Sequence, residues 1–532
     1  MRAETFLILI VLALIALVSF LGIISEINKT FGVEIPAFGG ALREGVLGNP
    51  RFMNPLLAQT DADRDLVSLV FAGLFHYNKD GNLSPLLADK YETSANGLTY
   101  TITLKDKLYW SNGDKLTADD IIFTIELAKN PLAQSPRRAN WEGVEVEKVD
   151  EKIIRFHLKK AYVPFIENLT IGILPKKLWE HIPASQISFA ELNTNPIGSG
   201  PYKIKSVKRD SFGSISSIEI TANKSFALGR PNIKTIIFSF YADEDSALRD
   251  LSTGFLDSLG GVSAKKAGEF KDKSKINTIS LKRIIAVFLN QGSQKSFSSA
   301  NTRRALNLAL NKNELVEKVL GGYGEVIDGP LPKSTNEVAY EPDLAKDLLT
   351  RQKKDSAAFA FTLTTVKTPE LVELAEILKN MWENVGFKVT INTFPVNDLE
   401  SDVIGPRKYD AFLYGEEVIG KNPDPFAFWH SSQRAHPGFN IALYANSKVD
   451  KLLEEVRITQ DADKRDKLYD DIHKEIKKDL PAIFLFSPHY IYITPQDLRG
   501  ADFQTINTGS DRFAEVYKWY LKRNYAWKIF FQ

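Results

Sequence analysis

The chain has 532 residues, 44% hydrophobic and 25% charged, enough for several folding units around separate cores. Its 67 basic and 66 acidic residues leave a net charge of +1, so no global field draws it to DNA, RNA or an anionic surface, and no nucleic-acid partner is expected. The lack of any cysteine excludes disulfides, thiolate metal sites, cysteine nucleophiles and a lipoprotein anchor.

The first element is FLILIVLALIALVSFLGII, residues 6–24, uncharged and apolar on every face, about the length that crosses a bilayer as a helix. It is too long for a secretory h-region, and no A-x-A-like site follows, so an uncleaved single-pass anchor is expected. A short linker ending in PAFGG leads into a body without a second long apolar run. LTYTITL at 98–104 alternates as a half-buried strand should, and KIIRFHL at 152–158 does the same. Between them, a helix opens at Thr117 with Asp120 three residues on and stops before Pro131.

Further along, FAFTLTTV (359–366) predicts a strand. PELVELAEILKNMWENVG (369–386) predicts a helix with proline at its start, glycine at its end and Leu371, Leu374, Leu378, Met381 and Val385 on one stripe. FKVTINTF (387–394) predicts a second strand, and the succession implies a parallel pair with a right-handed crossover. KYDAFLYG (408–415) adds a strand, SKVDKLLEEVRI and ADKRDKLYDDIHKEIKKDL add two amphipathic helices, and AIFLFSPHYIYI returns to strand. The class is α/β.

No catalytic group emerges from these patterns. NPIGSGPY (195–202) has glycine on both sides of Ser199 but a β-leaning YKIKSV behind it, so it lacks the strand-to-helix elbow of a serine nucleophile and the helix N-terminus of a phosphate cradle. A tight turn into a strand is expected there. GEEVIGKN (415–422) matches the spacing of a P-loop, yet Asn422 stands where Ser or Thr should hold magnesium, and Pro423 and Pro425 disfavour the required helix. His430 and His436 lack metal-site spacing, so no metal and no cofactor are expected. The polar residues of that loop beside the aromatic FAFW do form a plausible wall for a polar ligand.

Several stretches in order carry a resemblance: LREGVLGNPRFMNPLLAQTDADRDLVSLVFAGLF, GNLSPLLADKYETSANGLTYTITLKDKLYWSNGDKLTADDIIFTI, NPIGSGPYKI, NTRRALNLALNKNELVEKVLGGYG with GPLP, NPDPFAFWHSSQ with GFNIALYANSKVDKLLEEVR, and DLPAIFLFSPHYIY. Together they resemble the family 5 extracellular solute-binding proteins, the peptide-, nickel- and sugar-type substrate-binding components of ABC importers. The resemblance implies a two-lobed periplasmic-binding-protein-like fold (type II) with an extra accessory domain. Lobe I would comprise 38–75, 191–275 and 491–532, the accessory domain 76–190 and lobe II 276–490, with 1–37 as membrane anchor and linker. NPIGSGPY then corresponds to the family's G-T-G-P-Y turn, its glycines supplying backbone freedom.

The implied function is non-enzymatic: a monomer on the extracytoplasmic face of the membrane that closes on a peptide or similar small solute and delivers it to an ABC permease. A sensor or chaperone-like receptor on the same fold is the alternative. Oligopeptide-binding relatives commonly carry W-x-x-D-Y-x-D-P, whose first aspartate pairs with the peptide's amino group. Aligned on Asp424 and Pro425, this chain has Lys421 and Asn422 in the aspartate and tyrosine positions, so the usual amine anchor is missing. The expected ligand-wall residues are Tyr414, Glu417, Lys421, Asn422, Asp424, Trp429 and Asn440.

Overall fold

The computed structural model describes residues 10–23, 32–272, 274–333, 335, 339–352, 359–418, 420 and 423–527. The apolar run is helical and exposed over 10–23, about 21 Å at 1.5 Å per residue, against a hydrocarbon core of about 30 Å. Among the described residues no helix is long and apolar enough to cross a membrane, and residues 6–9 and 24 of the expected anchor lie outside them.

The stretch read as linker is, over Gly32–Ala37, a strand, β1. It is followed by β2 (Gly39–Leu47) and α1 (Asp61–Val70). Thr60 caps α1: its hydroxyl accepts from the Asp63 amide at 3.1 Å, while the Asp63 carboxylate accepts from the Thr60 amide at 3.2 Å. The same carboxylate also accepts from the amides of Arg51 and Phe52 at 2.6 and 2.8 Å, tying the incoming loop to the helix start. Ala62, Leu66, Leu69 and Val70 are buried in the core, which leaves Arg64, Val67 and Ser68 on the face that lines the cavity described below.

The chain then builds a separate four-stranded antiparallel sheet from β3 (Ala88–Thr93), β4 (Thr99–Leu104), β5 (Val144–Lys148) and β6 (Ile153–Leu158), in the order β3-β4-β6-β5. The helix α2 (Ala118–Lys129) starts where the sequence puts it, with the Thr117 amide donating to Asp120 at 2.9 Å. Trp141, Phe156, Phe165 and Trp179 form the centre of this accessory core.

The return through NPIGSGPY is a close approach to α1. The Gly200 amide donates to the Val70 carbonyl at 2.8 Å, and a Cβ on Gly198 would lie 1.9 Å from that carbonyl oxygen. Neither glycine is among the positive-φ residues, so the expectation of backbone freedom is corrected: the turn needs the missing side chains, not unusual dihedrals. Ser199 is buried and its hydroxyl has no partner among the described residues.

Further strands are β7 (Tyr202–Arg209), β8 (Ile215–Ala222), β9 (Ile233–Tyr241), β10 (Ser258–Gly260), β11 (Lys275–Leu281), β12 (Arg283–Leu289) and β13 (Ala360–Val366). After α3 (Pro369–Val385) come β14 (Lys388–Phe394) and β15 (Ala411–Glu417). Then α4 (Ser447–Ile458) and α5 (Ala462–Asp479) lead to β16 (Ala482–Thr494) and β17 (Lys522–Trp527). As expected, β13 and β14 are parallel and joined by α3, which ends at Gly386 in the left-handed region.

One long mixed sheet runs β14-β13-β15-β12-β16-β10-β2-β9-β8-β7. Its two ends belong to different cores, which makes the molecule two-lobed. Leu42, Ile218, Ile236, Tyr492 and Trp519 cluster at one end; Val287, Leu363, Leu378 and Trp382, with Phe288, Phe412, Trp429 and Ile472 in a further cluster, lie at the other. β16 belongs to both: Ala482–Phe486 pair with β12 in the second lobe, and His489–Thr494 pair with β11 in the first. At the crossover the Ser487 hydroxyl donates to the Leu281 carbonyl at 2.9 Å. Apart from this sheet, β1 and β17 pair antiparallel as a two-stranded ribbon.

Candidate functional site

A cavity of about 520 Å³ is lined by residues of α1 and the 507–514 loop, of the segments flanking the four-stranded sheet, and of the stretch after β15. The first lobe contributes the α1 face and a loop over residues 507–514. Asp511 shapes that loop by accepting from the Asn507 and Thr508 amides at 2.9 and 3.0 Å. A buried ionic cluster fixes it beneath α1: Arg512 donates to both oxygens of Asp65 at 2.8 and 2.6 Å and to Glu44 at 3.0 Å. Tyr492 donates to Glu44 at 2.8 Å, and Ser258 donates to the same carboxylate. Burial pushes Asp65 up to about 6 despite the attraction of Arg512.

The accessory domain supplies most of the opposite wall: Tyr77, Arg137, Trp141, Tyr162 and Glu167. Tyr77 donates its hydroxyl to Glu167. His76 also lines the cavity, and burial lowers it to about 4, so it is neutral at pH 7. The second lobe contributes Glu417, Asp424 and Phe428. Glu417 ends β15 directly opposite Arg283 of β12, and the pair meets at 2.6 Å. Asp424 accepts from Arg457 at 3.0 Å and from the Tyr162 hydroxyl at 2.9 Å. Arg457 also lies over the rings of Phe426 and Tyr162, and its carbonyl accepts from the Val163 amide at 2.7 Å. This cluster bridges the accessory domain and the second lobe along one edge of the cavity.

Arg137 differs from these. Burial pulls its guanidinium below the ordinary value, Arg64 repels it and Glu417 attracts it, yet no side-chain hydrogen bond or ion pair joins it to any described residue. Arg64 lines the same cavity from α1 and, among the described residues, has only the exposed Asp61 as an ion-pair partner, at 3.5 Å. Glu417 and Asp424, by contrast, are both matched to an arginine.

Of the sequence-predicted wall residues, Glu417 and Asp424 line the cavity, and Lys421 and Asn422 lie outside the described residues. Tyr414 is half-buried and stacked on Phe412 with ring centres 5.1 Å apart. Trp429 is buried among Phe288, Tyr444 and Phe484. Asn440 is wholly buried and organises the loop, donating to the His430 and Tyr444 carbonyls and accepting from the Tyr444 amide. Among the described residues no group of three or more His, Asp or Glu is placed to hold a metal ion. Sequence reasoning missed Arg64, Tyr77, Arg137, Tyr162 and Glu167, which come from the first lobe and the accessory domain rather than from the loop that carries the family signature.

The profile described as bacterial extracellular solute-binding proteins, family 5 (middle), matches residues 82–438. The chain is 27% identical over 495 residues to the oligopeptide-binding protein AppA of Bacillus subtilis, covering 87% of this chain and 89% of that one. The structure of that protein in complex with a nonapeptide superposes with a TM-score of 0.73 at 26% identity, over 92% of this chain and 100% of the other. NikZ of Campylobacter jejuni, solved with Ni(L-His), gives a TM-score of 0.74 at 28% identity over 90% and 99% of the two chains. The substrate-binding protein CtaP of Listeria monocytogenes gives 0.80 at 25% identity over 91% and 99%. With two-thirds of its length inside that profile and a cleft between two lobes, the chain belongs to family 5 of the bacterial extracellular solute-binding proteins.

Proposed function

We infer that the chain captures a short peptide or a similar zwitterionic solute in the 520 Å³ cavity and hands it to an ABC permease, without chemical turnover. The volume lies in the range typical of small-ligand sites. The observation that carries the reading is Arg137, a desolvated cation on the cavity wall without a partner among the described residues, while the acids facing it are paired. An uncompensated buried charge is costly unless a ligand supplies its complement, so a ligand carboxylate belongs on Arg137, with Arg64 beside it. Glu417 and Asp424 receive the amino end, while Tyr414, Trp429 and Asn440 hold their loop in place; Lys421 and Asn422 remain assigned to the same wall by their sequence position.

Closure occurs about the β11–β12 and β16 crossings, with lobe I, the accessory domain and lobe II divided near the bounds the family resemblance implies, except that β11 and the His489–Thr494 half of β16 go with lobe I. The helix over 10–23, exposed at every position and uncharged throughout, is the described part of an uncleaved anchor that keeps a monomeric body at the extracytoplasmic face of the membrane, close to the permease.

Calorimetric titration of the full chain with trialanine and with its C-terminal amide tests the ligand reading. A charge-assisted pair of about 1.5–3 kcal/mol corresponds to roughly 10- to 150-fold in Kd, so both the amide and the Arg137→Met variant should bind weaker by that factor. Equal affinity for the acid and the amide would refute the assignment.

A further inference from the structure

The charged groups that line the cavity are unevenly matched. Among the described residues four acids line it, and each has its own partner. Glu417 meets Arg283 at 2.6 Å, and Asp424 meets Arg457 at 3.0 Å. Glu167 accepts from the Tyr77 hydroxyl, and Asp511 accepts from the amides of Asn507 and Thr508. The acids therefore need nothing further, and the imbalance lies with the two arginines, Arg64 and Arg137.

Neighbouring parts of the chain carry these two. The buried Ser135 hydroxyl donates to the Leu56 carbonyl at 2.7 Å, and the Arg137 amide donates to the same hydroxyl oxygen at 3.2 Å, so the segment bearing Arg137 is tied to the turn that leads into α1. Arg64 reaches the cavity from the start of that helix, on the face it shares with Val67 and Ser68. The two guanidiniums repel each other. Arg137 has no side-chain hydrogen bond or ion pair with any described residue, and the one acid near Arg64 is Asp61, 3.5 Å away, 80% exposed and outside the cavity lining. Like charges in a partly desolvated space are costly until counter-charges meet both of them. A single terminal carboxylate brings one negative charge to two positive ones and leaves a cation in surplus.

The geometry points to a ligand end that bears two carboxylates: an α-carboxylate on Arg137 and, on Arg64, the side-chain carboxylate of a C-terminal aspartate or glutamate, so that the cavity prefers acidic-ended peptides to neutral ones. This rests on the carboxylate reading of Arg137 above and adds the second charge and the residue that reads it. The Arg64 side chain is 32% exposed, so water screens its contribution to about 5-fold in Kd, less than that of the desolvated Arg137.

Calorimetric titration of the full chain with two isosteric pairs, Ala-Ala-Glu against Ala-Ala-Gln and Ala-Ala-Asp against Ala-Ala-Asn, reads the second charge at two lengths of side chain. In at least one pair the acidic peptide should bind about 5-fold tighter than its neutral counterpart. Arg64→Gln should abolish that preference while leaving the difference between trialanine and its C-terminal amide as in the parent, and Arg64→Lys should retain most of it. Arg64 lies outside the buried residues of α1, so both variants should melt as the parent does. Equal affinity within both pairs, or a preference that survives Arg64→Gln, overturns the second carboxylate and leaves the trialanine result standing. Failure of every peptide to bind overturns both readings. Glutarate binding as tightly as Ala-Ala-Glu would keep the two arginines as a dicarboxylate site and overturn the peptide as its source.

Discussion

Replacing Arg512 by methionine isolates the energetics of the buried cluster under α1. Its side chain is 2% exposed and serves two carboxylates, Asp65 through two hydrogen bonds and Glu44 through one. Removing one partner of a buried pair costs about 3–5 kcal/mol, because the remaining charge is left unmatched. Here two acids are stranded, so the loss at pH 7.5 should reach at least that range. The pH dependence identifies the cause. Without the arginine, the folded-state pKa of one carboxylate should climb to about 8, as documented for buried acids, while the unfolded value stays near 4.

The fold then binds a proton that the unfolded chain does not, so stability rises as pH falls from 7.5 to 5, by about 3.2 kcal/mol in the variant. The parent gains about 1.4 kcal/mol over the same interval, from Asp65 at about 6. The difference between variant and parent should therefore narrow by about 2 kcal/mol at pH 5. Hydrogen exchange of β9 and β10 amides in graded urea reads this lobe separately from the others. A loss under 1 kcal/mol at pH 7.5, or an equal loss at both pH values, would refute the electrostatic account.

His76 should act in the opposite direction. Held at about 4 in the fold against 6.5 unfolded, it should cost the protein about 2 kcal/mol between pH 7.5 and 5, and His76→Asn should flatten that part of the stability profile. Gly198→Ala drives a methyl into the Val70 carbonyl and should lose about 3 kcal/mol or more, whereas Ser199→Ala removes an unpartnered buried hydroxyl and should leave melting temperature and peptide binding unchanged. A nucleophilic or phosphate-binding Ser199 would instead be exposed by loss of function in the second variant. Arg457→Met removes the Asp424 ion pair and the cation stacked on Phe426 and Tyr162, so the unliganded molecule should shift about 10-fold or more toward an open form, seen as a larger radius of gyration by small-angle scattering.

The elements readable from sequence were those whose cause is local. The β13–α3–β14 unit declares itself through alternation, a helical stripe and a proline-to-glycine frame, and α2 through Thr117 and Asp120, all within a few dozen residues. The cavity has no such local cause. Arg137, Glu167 and Glu417 line one cavity although 250 or more residues separate the first two from the third, and nothing in SPRRANW distinguishes Arg137 from any surface arginine. Trp429 and Asn440 drew attention by composition, yet an aromatic loop can fill a core as readily as face a ligand, and here both are buried. β1 escaped for a similar reason: GVEIPA shows little alternation, and the strand that stabilises it lies at the far end of the sequence.

That pairing sets the order of assembly. Accessory strands find partners within some seventy residues, so they can consolidate while the rest of the polypeptide is still being exported. Among the described strands β1 pairs only with β17, so the ribbon joins the two most distant strands of the sequence and is the most entropically expensive loop to shut. A chain cut short before β17 would therefore hold a complete four-stranded accessory sheet and an unpaired leading strand.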